Sequence, residues 1–243
     1  MIYVFGCNGY LGSSLMDYLS DRGYDVQGFS RNCFPGRIYE EDTIINCAAS
    51  GYRKGSYGTA QTVYDNFTFP TILDDRRNGA NFIQIGSWSE EVPVLDDYSN
   101  SKRLATSYLK DRAHILMCCS IWGGKWESTE RFMMTFLKGC AKNEPYVITH
   151  PLRRRDFVHI DNFCLFLENL IKFKDYSKIY CATGKLYSFF QVKLMLESIA
   201  GREFPNVKFV DDMSANYDWH PVDPVFDDTL REDMEREWRK LTR

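Results

Sequence analysis

Gly6-Cys7-Asn8-Gly9-Tyr10-Leu11-Gly12 decides how the rest of this chain is read. The heptapeptide follows a short apolar run, Met1–Phe5, which ends at the first glycine. It leads into Tyr10–Arg22, where Leu11, Leu15, Tyr18 and Leu19 recur at helical spacing until Gly23 stops them. The pattern is strand, tight turn, helix. Gly6 allows the turn, Gly9 lets a pyrophosphate approach the backbone, and Gly12 lets helix and sheet pack closely. The opening of the helix offers free N–H groups and positive potential to phosphates. Gly6, Asn8, Gly9, Tyr10, Leu11 and Gly12 are therefore the candidate dinucleotide-binding residues. Three glycines at this spacing arise by chance only about 0.07 times in a chain of this composition, and the flanking strand and helix make coincidence rarer still.

Outward from the turn the same rhythm continues. Apolar runs at Asp25–Phe29, Thr43–Ala48, Asn81–Ile85 and Ile115–Ile121 alternate with helical patterns at Thr59–Asp75 and Ser99–Arg112. Pro70 falls inside the first of these helices and is expected to kink it. Such alternation predicts an α/β fold, a doubly wound parallel sheet with helices on both faces. Beyond Trp122 the rhythm loosens. Helices are expected at Phe132–Ala141, Asp161–Phe173 and Ser188–Ala200, and short strands at Pro145–Thr149, Asp156–Ile160, Lys178–Ala182 and Val207–Val210. Near the end Leu230, Met234, Trp238 and Leu241 form one helical stripe, read as a helix docked on its own protein.

Composition narrows the function. The 243 residues are 44% hydrophobic and 26% charged, enough apolar material for a folded core. A formal net charge of -3 argues against a nucleic-acid binder. No apolar run reaches the length of a membrane span, and the N-terminus lacks a basic leader. The eight cysteines form no C-x-x-C pair and several sit in strand-like runs, so reduced thiols in a cytoplasmic protein are expected, with no metal site.

Further along, the second strand runs into Ser30 and Arg31 where an NAD-preferring fold usually carries an acid for the ribose hydroxyl. An arginine there suits a 2′-phosphate, which favours NADP(H) over NAD(H). Tyr98 and Lys102 form a Y-x-x-x-K, one turn apart on one helix face. About 0.8 such pairs are expected by chance, so only the position of this one is informative. It opens the helix after the Asn81–Ile85 strand, and that strand runs into Ser87, at the sheet edge where ligands bind.

With these landmarks the chain resembles the extended short-chain dehydrogenase/reductase superfamily, the Rossmann-type enzymes that work mainly on nucleotide sugars. Asp42–Ala49 is similar to the family's fourth strand and the turn beside the cofactor, Cys47, Ala48 and Ala49. Asn66 matches the family's helix asparagine, and Arg155-Asp156-Phe157-Val158-His159-Ile160-Asp161 its R-D-F-V-H-V-D segment. The resemblance implies a dinucleotide-binding domain over residues 1–121, to which a strand at about 178–183 returns. The remainder of 122–243 becomes a small C-terminal substrate-binding lobe. It also implies a catalytic set of Ser87, Tyr98, Lys102 and Asn66, with Ser89 and Arg155 on the substrate. Arg155 is the best candidate for its diphosphate, since a guanidinium suits phosphate oxygens, with Arg153 and Arg154 as alternatives. A phenol titrates near ~10 in isolation, and a neighbouring ammonium favours its anion, so Tyr98 can exchange protons at neutral pH.

The family contains reductases, epimerases and dehydratases. A dehydratase is disfavoured, because the acids Glu90 and Glu91 stand too far beyond Ser87. Ser89 also replaces the cysteine of the family's epimerase-reductases. The reading chosen is NADPH-dependent reduction of a 4-keto sugar nucleotide. C4 epimerisation with tightly held NAD is the alternative, and a non-catalytic NAD(P)-binding regulator the alternative of another class. A homodimer through the helices near 59–75 and 99–112 is the expected assembly, with no nucleic-acid or membrane partner.

Overall fold

A computed structural model describes residues 1–30, 33–50, 59–91, 96–127, 131–173, 177–210, 222 and 224–242. The elements run β1 (Ile2–Phe5), α1 (Tyr10–Asp21), β2 (Val26–Phe29), β3 (Thr43–Asn46), α2 (Thr59–Val63), α3 (Phe69–Arg76), β4 (Asn81–Ser87), α4 (Asp97–Leu109) and β5 (His114–Cys118). They continue with β6 (Ser120–Trp122), α5 (Phe132–Ala141), β7 (Tyr146–Thr149), β8 (Arg154–Arg155), β9 (Phe157–His159), α6 (Ile160–Leu170), β10 (Lys178–Cys181), β11 (Tyr187–Ser188), α7 (Phe189–Ala200), β12 (Val207–Val210) and α8 (Leu230–Leu241). Two compact units result: Met1–Cys118 with Phe163–Tyr180, and Cys119–Asn162 with Cys181–Arg243. Besides the returning strand, the first unit thus takes in most of α6.

In the first unit, six strands form one sheet in the order β10-β5-β4-β3-β1-β2. β1 pairs in parallel with both β2 and β3, and β4 in parallel with β3 and β5. All residues of β1, β3 and β5 are buried, which is why these strands read as continuous apolar runs and not as alternating ones. Strand order reverses between β1 and β3, and a crevice opens at such a switch point at the strands' C-terminal ends. One face is filled by Phe5, Phe29, Phe69, Leu73, Phe82, Leu109 and Met117, with Phe5 stacked on Phe29 at 5.2 Å. Glu168 on α6 accepts hydrogen bonds from the hydroxyls of Tyr18 (2.9 Å) and Tyr24 (2.8 Å), tying α6 to α1.

Two expectations need correction. The helix after β3 is not one helix kinked at Pro70. It is α2, a π-helical turn over Tyr64–Thr68, and then α3, with the proline seated in the first turn of α3. Proline has no N–H to give the carbonyl four residues back, here that of Asn66. The ladder widens there instead, so that the Phe69 N–H reaches Tyr64 O. Likewise Ile115–Ile121 is not one strand. It divides at Cys119 into β5, in the large sheet, and β6, which pairs with β9.

The second unit is built on Trp122, Phe136, Leu137, Val192, Leu196, Phe204, Leu230, Met234 and Trp238. β6 and β9 pair in parallel, as do β7 and β12, while β8 and β11 pair antiparallel. The apolar stripe of α8 packs on α5 and α7. Among the described residues no helix is long and apolar enough to cross a membrane.

Candidate active site

The glycine turn closes on itself. Gly6 has φ +77°, and a Cβ there would stand 2.6 Å from Ala48 N. A Cβ on Gly12 would lie 2.2 Å from Gly6 O and 3.0 Å from Cys7 Cα. Gly12 therefore seats α1 against the turn itself, a refinement of the expected contact with the sheet. Gly9 is different. It is exposed and extended, and its Cβ would meet only Gly6 O, at 3.3 Å. Its N–H donates to Gly6 O at 2.9 Å and the Ser13 hydroxyl to Cys7 O at 2.7 Å, which fixes the turn from within. Asn8 is exposed, and Tyr10 and Leu11 are half-buried at the start of α1. A backbone open at Gly9, above a helix N-terminus, fits a pyrophosphate.

Across the switch point, Cys47, Ala48 and Ala49 follow β3. The Cys47 N–H donates to Phe5 O at 2.9 Å, and the Ala48 N–H to Asn46 Oδ1 at 3.1 Å. Burial pushes the Cys47 thiol up, so it stays protonated. Ser30, at the end of β2, is exposed, with its hydroxyl 3.7 Å from Cys33 Sγ. Arg31, the candidate for the 2′-phosphate, lies outside the described residues.

The β4–α4 unit carries the chemistry-bearing side chains. Asp96 caps α4, accepting the Ser99 N–H at 2.6 Å, so the helix begins earlier than the sequence suggested and takes Tyr98 into its first turn. Lys102 follows one turn later. It is 2% exposed, and its Nζ donates to Ile85 O at 2.8 Å. Burial lowers the affinity of this amine for its proton, opposed above all by the carboxylate of Glu90. At the end of β4 the Ser87 hydroxyl meets that of Ser89 at 2.9 Å.

Asn66 sits in the π-helical turn with no exposure. Its amide brackets Ser50, accepting the N–H at 3.0 Å and donating to the carbonyl at 2.8 Å, and also donates to the Ser101 hydroxyl at 3.1 Å. That hydroxyl donates in turn to Tyr98 O at 3.0 Å. Asn66 thus secures the backbone that carries Tyr98.

In the second unit, Arg155 is half-buried on β8, opposite Tyr187 of β11, with Nη1 donating to Arg154 O at 2.7 Å. Its neighbours in the motif build structure. Asp156 accepts the N–H groups of Thr183 (3.0 Å) and Gly184 (2.7 Å). His159 packs edge-on against Trp122. The residue that sequence reasoning passed over is Glu90. It was noted only as an acid out of place, yet it is 5% exposed and its Oε1 accepts the Ser87 N–H at 2.7 Å. The available signal was Ser87-x-x-Glu90, the spacing of a capping box, which the structure forms.

The sequence model of the NAD dependent epimerase/dehydratase family matches residues 2–179. The chain belongs to this family. Solved structures share the family member's fold at low identity. MoeE5 in complex with UDP-glucuronic acid and NAD is 18% identical, with 98% of each chain covered and a TM-score of 0.78. The UDP-glucose 4-epimerase of Thermotoga maritima, solved with UDP-glucose, is 17% identical over 99% of each chain, at 0.77. The dTDP-4-dehydrorhamnose reductase of Bacillus anthracis, in complex with NADP, is 15% identical over 98% of this chain and 97% of that one, at 0.76.

Proposed function

We propose that this family member reduces a 4-keto sugar on a nucleotide with NADPH. One observation carries the reading: Ser87 ends β4 while Lys102 reaches back from α4 to the carbonyl of Ile85 on the same strand, with Tyr98 one turn before it. That puts Ser87 and the Lys102 amine at the C-terminal end of one strand, with Tyr98 one turn earlier on the same helix, which supports a reading of the three as the reacting set. The dinucleotide is held by the backbone of Gly6, Asn8, Gly9, Tyr10, Leu11 and Gly12, by Cys47–Ala49, and by Ser30 and Arg31 at the adenosine end. When bound, its nicotinamide supplies the hydride.

Each remaining task falls to this chain. Tyr98 gives its hydroxyl proton to the carbonyl oxygen being reduced. Ser87, with Ser89 beside it, donates a hydrogen bond to the same oxygen as charge develops there. Lys102 holds the nicotinamide ribose and, as an ammonium, favours the phenolate that Tyr98 leaves behind. Asn66 secures the Tyr98 backbone through Ser101 and serves the Lys102 proton relay. The second unit is the substrate lobe, and Arg155 suits a diphosphate because a guanidinium meets phosphate oxygens two at a time. The absence of an acid after β2 favours NADPH and reduction. The epimerase reading draws on epimerases of matching fold, among them the UDP-glucose 4-epimerase.

The test is NADPH oxidation followed at 340 nm against UDP-, dTDP-, GDP- and CDP-linked 4-keto-6-deoxysugars. Consumption of one equivalent of NADPH per sugar reduced supports the proposal. Interconversion of C4 epimers with no net NADPH consumed overturns it in favour of the epimerase.

A further inference from the structure

Glu90 is a buried acid for which the mechanism above has no use. It ends the short 3-10 turn Trp88–Glu90 that follows β4, with Oε1 on the Ser87 N–H at 2.7 Å. Gly86 makes room for it: a Cβ there would come within 3.1 Å of this oxygen and 2.8 Å of Met117 Sδ. Its main chain is stitched to α4, since Arg103 Nε donates to Glu90 O at 2.8 Å. In an extended strand the carbonyl of one residue and the N–H two residues on point to the same edge. The Lys102 ammonium on Ile85 O and the Glu90 carboxylate on Ser87 N are therefore neighbours along the end of β4.

We propose that Glu90 is a positioning residue for the reduction: it fixes the Ser87 backbone and provides the buried counter-charge that keeps Lys102 an ammonium beside Tyr98. This rests on the reading of Ser87, Tyr98 and Lys102 as the reacting set. Burial works against both charges. It raises the Glu90 carboxyl, opposed by the Thr106 hydroxyl, Lys102, the Ser87 N–H and Lys178, and it lowers Lys102, opposed by Glu90 and then by Cys118 and Cys47. These are the groups that face the pair from α4, β5, β10 and the turn after β3, together with Arg103 on α4, whose Nε donates to Glu90 O. The Cys47 thiol supplies little charge, because burial keeps it protonated. Without Glu90 a buried lysine sheds its proton at lower pH. A neutral amine no longer favours the Tyr98 phenolate.

The experiment is an NMR titration of the full chain carrying ¹³C at the lysine ε and glutamate δ carbons, with K102M identifying the Lys102 resonance. Glu90→Gln keeps the shape and an oxygen for the Ser87 N–H but removes the charge. The Lys102 midpoint falls by about one pH unit or more in that variant. By reciprocity Lys102→Met raises the Glu90 midpoint by a like amount, which reads the same coupling should Glu90→Gln not fold. In turnover the alkaline limb of the pH profile moves down in Glu90→Gln. Midpoints unmoved in either folded variant overturn the proposal. A wild-type chain that fails to consume NADPH with any keto sugar overturns the reductase reading and leaves these midpoints as they are, so the two failures are told apart.

Discussion

The three glycines of the turn should fail in different ways when each gains a methyl group. Gly12→Ala places a Cβ 2.2 Å from Gly6 O, where ordinary contact begins about 1 Å further out, and the obstacle is backbone. Overpacking of this kind costs about 1–3 kcal/mol, with up to about 1 kcal/mol returned by the helix propensity of alanine. Gly6→Ala meets Ala48 N at 2.6 Å and adds a left-handed φ of +77°, worth a further ~1–2 kcal/mol. At roughly 2–4 °C per kcal/mol, both lose several degrees of Tm, and Gly6→Ala loses more. Gly9→Ala is the contrast. Its backbone is extended at φ -88°, its Cβ would meet only Gly6 O at 3.3 Å, and its Tm stays within about 2 °C of wild type. There the methyl group stands between backbone and pyrophosphate, and the dinucleotide Kd rises about tenfold or more, which is ~1.4 kcal/mol. Calorimetric titration with NADPH and NADH, beside thermal melts, reads both effects. A Gly9→Ala protein that binds as wild type refutes the role given to Gly9, and a Gly12→Ala protein as stable as wild type refutes the packing argument.

Other substitutions test other parts. Tyr98→Phe lowers turnover by about 10²-fold or more while the dinucleotide Kd, measured by calorimetry, is retained; wild-type turnover in that variant sinks the mechanism. Arg31→Asp weakens NADPH more than NADH, and equal loss for both removes Arg31 from the 2′-phosphate. In the second unit, burial raises the Glu127 carboxyl from its ordinary 4.5 to about 7, and the carboxylate accepts the Gly123 N–H. The folded chain thus holds this proton more tightly than the unfolded one. Stability present at acid pH is lost as pH rises from about 4.5 through about 7, up to about 3 kcal/mol. Glu127→Gln, which keeps an acceptor for Gly123, raises Tm at pH 8 and changes it little at pH 5. A variant with the same Tm difference at both pH values contradicts this.

Much of the first unit was legible because its signals are local. Steric demands at Gly6 and Gly12 show in residue type alone, and the apolar runs of β1, β3 and β4 are bounded by glycine, serine or charged residues. The bounds expected for α5 and β12 are the observed ones, each set by a clean apolar pattern. Where the reading went astray, distant partners decide. Cys119 splits one apolar run because β6 pairs with β9, and the Ser120 N–H is taken by Asp156 O, far along the chain. The π-helical turn at Asn66 had a local signal in Pro70, but the widening of the ladder depends on Asn66 being held by Ser50 and Ser101. Glu90 was read only as an acid out of place beyond Ser87. Its burial rests on the missing side chain of Gly86 and on α4 closing over it, neither of which a linear pattern records.

The most direct test of the reductase account is what the purified protein carries and takes up. Mass spectrometry of the small molecules released on denaturation, followed by calorimetry of the stripped chain with NADPH and NADH, reads both. The account predicts a protein that binds NADPH more tightly than NADH and holds neither through purification. Co-purifying, non-exchanging NAD would contradict it.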